Sequence, residues 1–290
     1  MSNPTETSRQ RDPVPTDSRY ECLLKIASGG MATVYVGRLR GRYGFSRLVA
    51  IKRAHAHLLD DEQFRRLLIG EARLASRIHH PNVVSVLDVD EPREELLLVM
   101  DYVEGAALSQ LLSACREASP LPVGVTVRIM IDVCAGLHAA HELRGERGEP
   151  LEIVHRDVSP QNVLVGVDGL SRITDFGVAK WTEATQATTN GWKGKFAYMA
   201  PEYVRDRVAD RRADVFGVGV MLWEALANRR LFRGEDGGAT MWLVANHTPE
   251  EIGALVPGLP PELAQVVARA LEKEPDARYA TAKDLADALE

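Results

Sequence analysis

Apolar residues are almost absent from residues 1 to about 18, which are mostly Ser, Thr, Pro, Asp, Arg and Gln. Such a stretch has nothing to bury and is expected to be a disordered tail. The pattern changes near Tyr20, where Leu23, Leu24 and Ile26 begin a strand-like run. A small-residue turn, Ala27-Ser28-Gly29-Gly30-Met31-Ala32, then separates it from a second strand pattern at Thr33 to Val36. Leu48-Val49-Ala50-Ile51 is an apolar strand that ends in Lys52. Phe64, Leu67, Leu68, Leu74, Ala75 and Ile78 recur at helical spacing and predict a helix with one buried stripe. Leu96 to Met100 reads as a buried strand. Val127, Met130, Ile131, Cys134, Leu137, His138 and His141 share one face of a long helix.

Further on, Val163-Leu164-Val165 and Arg172-Ile173-Thr174 flank a turn at Asp168-Gly169, which is a hairpin pattern. Asp214 to Trp223 is apolar nearly all round and predicts a helix buried on every side. Thr281 and Asp284 have the spacing of a capping box for a last helix. Two stretches carry no burial pattern. One is the polar run 143–150, expected as a surface excursion; the other is 178–195, rich in Thr, Ala, Gln and Gly and expected to be flexible. Strands dominate the first third and helices the rest, so the predicted class is α+β, and a length of 290 residues suits either one large domain or two lobes.

Composition narrows the function classes. Apolar content of 45% supports a real core. A net charge of −6 argues against a nucleic-acid surface, which needs clustered Lys and Arg. Cys22, Cys115 and Cys134 are odd in number and scattered, which fits a reducing compartment without structural disulfides or zinc. No run approaching the roughly 18 apolar residues of a membrane span is evident, so no membrane contact is expected within this chain.

Against this background a few polar residues need explaining. Glu71 falls inside the apolar stripe of its helix, and a carboxylate there needs a cation. Asp157 and Asn162 lie just before the predicted hairpin, and Asp175 just after it. The hairpin therefore returns Asp175 beside Asn162, where a carboxylate and an amide oxygen could share a hard cation such as Mg²⁺. Asp157 is left to meet a hydroxyl proton. The glycines of the 27–32 turn would let backbone N–H groups approach phosphate oxygens. The pairs His79-His80 and His138/His141 lack accompanying carboxylates or cysteines and read as packed or surface residues.

His155-Arg156-Asp157, Asn162, Asp175-Phe176-Gly177 and Ala200-Pro201-Glu202, in this order and spacing, resemble the bacterial eukaryotic-like serine/threonine protein kinases. The resemblance covers residues 20 to 290. It implies a two-lobed kinase-like fold, with a small β-rich lobe at 19–102 and a larger, mainly helical lobe at 103–290, and transfer of the ATP γ-phosphoryl to Ser/Thr hydroxyls of proteins, including autophosphorylation through a transient homodimer. It makes Asp157 the proton acceptor, Asn162 and Asp175 the ligands of Mg²⁺ or Mn²⁺, and Lys52 the phosphate-binding cation fixed by Glu71. Nucleotide contacts are implied for Ile26, Ala27, Ser28, Gly29, Gly30, Met31, Ala32, Val34, Ala50, Met100, Asp101, Val103 and Leu164, with Met100 as gatekeeper and Asp101 to Gly105 as hinge. Asp214 would hold the backbone of the 155–157 loop, and Arg278 would pair with Glu202. A cytoplasmic protein, or the cytosolic part of a membrane-tethered one, follows.

The chain also departs from the family pattern. The small-residue turn keeps only the middle of three expected glycines, with Ala27 and Ala32 at the other two. Two residues after Asp157 the family usually has lysine, and here it is Ser159. The Gly-Thr pair before the Ala-Pro-Glu motif is here Gly194-Lys195. The expectation is an exchange, in which Lys195 reaches back over Ser159 and restores the missing charge. These departures also keep open a nucleotide-binding pseudokinase scaffold. Thr188 and Thr189, before Glu202, are the expected activating phosphosites, with Arg156 as the cation that would bind their phosphates.

Overall fold

Residues 19–92, 95–176 and 195–290 are described by the computed structural model, and they fall into two units. One comprises Met1–Ala72 and Val86–Tyr102; the other comprises Arg73–Ser85 and Val103–Glu290. Residues 73–85 thus belong with the second unit, although a single boundary at 102 is expected from sequence. The cause is burial: Ile78 and Val83 join the second unit's core, and Val84 N–H bonds Ile173 O at 2.9 Å.

The first unit is an antiparallel sheet of β1 (Tyr20–Ser28), β2 (Ala32–Arg40), β3 (Ser46–Ala54), β4 (Val86–Asp90) and β5 (Leu97–Asp101), in the order β1-β2-β3-β5-β4. The short helix α1 (Ala56–Leu59) and α2 (Glu62–Ala75) follow β3. Asp61 starts α2 by accepting from the backbone N–H of Gln63 and Phe64, satisfying orphan donors of the first turn. Strand alternation sorts the sheet into two faces. Val49, Ile51, Leu97 and Val99 are fully buried and pack with Tyr20 into a small core. Gly37 is required there, because a Cβ would sit 2.2 Å from Ile51 Cδ1.

The second unit begins its regular structure with β6 (Gly105–Ala107), α3 (Leu108–Glu117) and α4 (Val123–His141). Next come β7 (Val163–Gly166) and β8 (Ser171–Ile173), which with β6 form a three-stranded antiparallel sheet. Helices α5 (Pro201–Asp206), α6 (Arg211–Ala227), α7 (Gly237–Asn246), α8 (Ile252–Leu255), α9 (Pro261–Ala270) and α10 (Ala282–Leu289) complete it. From Ala213 to Leu226, α6 is buried on every side, as its uninterrupted apolar run predicts. The α10 capping box is present, with Thr281 and Asp284 bonding each other's backbone N–H. By length and composition, α4 is apolar enough to cross a bilayer, which corrects the expectation that no segment is. Half of its apolar window is buried inside the protein, with Met130, Val133, Cys134 and Leu137 in the core.

Candidate active site

In the first unit, the face opposite the small core carries the residues of interest. Val34 pairs with Lys52, Val36 with Ala50, and Ala50 with Met100. Register thus puts Val34, Ala50, Lys52 and Met100 on one side of the sheet. Glu71, at 8% exposure, is buried on α2. Asp101 ends β5, and its carboxylate pairs with Arg47. The turn from β1 to β2 is closed by Gly29 N–H bonding Ala32 O at 2.9 Å. His55 N–H bonds Met31 O at 2.9 Å, and its ring Nδ1 lies 3.2 Å from Gly30 O, a tether the sequence reading did not foresee. A Cβ at Gly30 would meet no described atom within 4 Å, so internal packing does not explain that glycine.

In the second unit, Asp214 fixes the loop around Asp157. It sits in the first turn of α6 at 1% exposure. One carboxylate oxygen accepts from His155 N–H and His141 Nε2, both at 2.8 Å. The other accepts from Arg156 N–H at 2.9 Å. Burial alone would raise the carboxyl's pKa, but these donors outweigh it and hold the group below its ordinary value. Arg156 adopts the left-handed region at φ 61°, a strained conformation for a long side chain that the two backbone bonds help maintain.

The hairpin closes as the spacing predicts. Val163 pairs with Ile173, Thr174 N–H bonds Asn162 O at 2.9 Å, and Gly169 takes φ 81° in the turn. Asn162 and Asp175 are therefore brought to neighbouring ends of β7 and β8. The Asn162 amide nitrogen donates to Asp157 O at 2.8 Å and to Asp157 Oδ2 at 2.5 Å, which leaves its oxygen as the group to offer a cation. Asp175 is also left-handed, at φ 59°. Just before it, Thr174 O lies 3.1 Å from His155 Nε2, and the Phe176 ring lies 4.7 Å from the His155 ring. Leu164 is half-buried on β7, and Val103 is half-buried between β5 and β6.

Lys195 Nζ lies 3.0 Å from Asp157 Oδ2. Ser159 is 1% exposed, and its hydroxyl has no hydrogen-bond partner among the described residues. Ala200-Pro201-Glu202 is anchored by a bidentate pair, with Arg278 donating to Glu202 at 2.8 and 2.7 Å. Gly177, Gly194, Thr188 and Thr189 lie outside the described residues.

Sequence reasoning missed one buried polar cluster. Tyr198 hydroxyl donates to Glu224 Oε2 at 2.8 Å, and Arg230 approaches the same oxygen at 3.1 Å. Burial raises the Glu224 pKa even against the Arg230 charge. The signal was available: Glu224 is a carboxylate inside an apolar helix, the same anomaly that marks Glu71.

Residues 20–288 match the family described as "Protein kinase domain". The chain is 39% identical over 273 residues to tyrosine-protein kinase MasK of Myxococcus xanthus, covering 93% of this chain and 42% of MasK. It is 37% identical to serine/threonine-protein kinase PknL of Mycobacterium bovis, covering 94% of this chain and 66% of PknL. It is also similar to the crystal structure of the PknI kinase domain of Mycobacterium tuberculosis, with TM-score 0.68, 27% identity and 94% of both chains covered. The chain thus spans under half of MasK and about two thirds of PknL.

Proposed function

This chain belongs to the protein kinase domain family, and we propose that it transfers the γ-phosphoryl group of ATP to serine and threonine hydroxyls of protein substrates. The observation that carries the reading is the Asp157 carboxylate. It is 8% exposed, lies on a loop pinned by Asp214, and is oriented by donors from Asn162 and Lys195. A carboxylate so held can orient an acceptor hydroxyl and take its proton as the oxygen attacks phosphorus.

The residues present fit the nucleotide and its metal. Asn162 and Asp175 offer an amide oxygen and a carboxylate, the small hard-oxygen set that suits Mg²⁺ or Mn²⁺ beside phosphate oxygens. When bound, the metal neutralises charge on the transferring group. Lys52 would bind the α/β-phosphates with Glu71 as its orienting partner, and the open side of Gly30 would admit phosphate oxygens close to backbone N–H groups. Val34, Ala50 and Met100, on one side of the first unit's sheet, would contact the adenine. A reaction that consumes ATP calls for a cytoplasmic setting. Arg156 is the proposed receiver of an activating phosphate on Thr188 or Thr189, through charge-assisted hydrogen bonds.

Serine/threonine specificity follows the name of PknL, while the name of MasK favours tyrosine, so the acceptor is read directly. Protein incubated with Mg²⁺ and labelled ATP should label itself and myelin basic protein, with phosphoserine and phosphothreonine predominating and Thr188 or Thr189 among the mapped sites. Asp157→Asn should retain ATP affinity and lose at least about 10²-fold in transfer rate. Phosphotyrosine alone would favour the MasK-like reading. Binding of Mg-ATP with no transfer by the wild-type protein would make it a pseudokinase scaffold.

A further inference from the structure

Phosphoryl transfer needs positive charge against the oxygens of the transferring group, and the catalyst must supply it ready placed. After Asp157 the loop continues Val158-Ser159-Pro160-Gln161-Asn162, a stretch with no cation. Ser159, where such a charge could stand beside Asp157, is instead a sealed hydroxyl without a partner among the described residues. The ammonium found at Asp157 comes from thirty-eight residues away, on Lys195.

We propose that Lys195 is a catalytic residue whose ammonium binds the oxygens of the transferring phosphoryl group, so that the charge arrives from the segment before Ala200-Pro201-Glu202 rather than from the loop of Asp157. This rests on the kinase reading above. Nζ is 3.0 Å from Asp157 Oδ2. An acceptor hydroxyl bound to the same oxygen at roughly 2.7 Å therefore lies within about 6 Å of Nζ, and the phosphorus it attacks lies close by. In the step itself, the acceptor oxygen forms a bond to Pγ as the bond from Pγ to the bridging oxygen breaks. The electron pair leaves with ADP, the hydroxyl proton goes to Asp157, and Lys195 keeps its protons throughout.

Three features separate this from an incidental surface pair. The side chains are only 28% and 8% exposed, so the interaction is less screened than the exposed pairs that contribute almost nothing. Asp157 Oδ2 also accepts from Asn162, so the carboxylate does not depend on Lys195 for a partner. Lys195 also has a fixed mount. Its carbonyl accepts from Tyr198 N–H at 3.1 Å, and the Tyr198 hydroxyl is tied to buried Glu224. The cation is therefore in place only when the turn that leads into Ala200-Pro201-Glu202 is formed, which links that segment's conformation to the chemistry.

The test compares the wild-type chain with Lys195→Met, Lys195→Arg and the double variant Ser159→Lys/Lys195→Thr. Single-turnover transfer from labelled Mg-ATP to myelin basic protein is measured beside ATP affinity and thermal midpoint. Lys195→Met should lose roughly 10²–10³-fold in rate, the usual effect of removing one preorganised charge or donor, with ATP affinity and midpoint unchanged. Lys195→Arg should keep most of the activity, and the double variant should recover much of what Lys195→Met loses. Transfer by Lys195→Met at the wild-type rate or faster overturns the proposal, as does a rate loss matched by lost ATP affinity. A folded double variant no better than Lys195→Met overturns the equivalence of the two positions. Wild-type protein that binds Mg-ATP without transferring it would instead sink the kinase reading itself, so the two failures are distinguishable.

Discussion

Single residues show where sequence is a good guide and where it is silent. Asp157, Asn162 and Asp175 could be read because their spacing around a hairpin dictates who meets whom, and Thr174 N–H on Asn162 O closes that ladder. His141 could not, since nothing local reveals that its Nε2 faces the Asp214 carboxylate seventy-three residues away. Lys273 is another such residue. Its ammonium bonds Val244 O at 2.6 Å and lies over the Phe232 ring at 4.9 Å. Burial, with the Arg278 and Arg205 charges behind it, lowers its pKa from 10.5 to about 8. Between those values the unfolded chain holds a proton that the folded protein has released, so folding stability from this group rises with pH. Below about 8 both states are protonated and the charged form weighs constantly against the fold. Wild-type protein should therefore gain thermal stability relative to Lys273→Met as pH is raised from 8 to 10.5. A difference in midpoint that stays flat, or reverses, across that interval would show that the lysine titrates normally.

Among the elements, those with a strong period were legible and those shaped by tertiary contact were not. The apolar runs at Val49–Ile51 and Val215–Leu222 identify β3 and α6 without help. The spacing of the α2 stripe predicts a helix reaching Ile78, but α2 stops at Ala75 and Ile78 joins the second unit's core. The polar run 143–150 carries no period, yet Arg144 bridges Pro150, Gly145 N–H bonds Glu149 O at 2.7 Å and Leu151 N–H bonds Leu143 O at 3.0 Å, closing a turn on main-chain bonds that composition cannot reveal. The glycines of α6 are equally silent in sequence. A Cβ at Gly217 would lie 2.9 Å from Val158 Cβ and 3.2 Å from Val158 O, between Asp157 and Ser159. In an exposed helix Gly→Ala would gain about 1 kcal/mol from propensity. Here the close approach wins, and Gly217→Ala should cost about 1–3 kcal/mol in denaturant unfolding. Because the strain falls on the loop of Asp157, the rate of transfer should drop more than ATP affinity. A stabilised, fully active Gly217→Ala protein would show that the loop can shift freely.

For the molecule as a whole, the two cores differ greatly in extent. The first unit's buried cluster is Tyr20, Val49, Ile51, Leu97 and Val99, drawn from the three strands β1, β3 and β5. The second unit's cluster runs through α3, α4, α6, α9 and α10 and takes in the hairpin of Asn162 and Asp175. The sequence gives no direct view of this inequality, since apolar residues occur throughout; it emerges only once strand alternation assigns Val34, Ala50 and Lys52 to the other face of the sheet. Stability should follow the cores. Ile51 is fully buried, and Ile51→Ala should remove about 2–5 kcal/mol from the first unit. In native-state hydrogen exchange, amides of β2, β3 and β5 should exchange faster by the corresponding factor, whereas those of α6 between Val215 and Leu222 should keep their protection. Equal acceleration in α6 would mean that the two units open as one cooperative structure, and that the small core is underwritten by the large one.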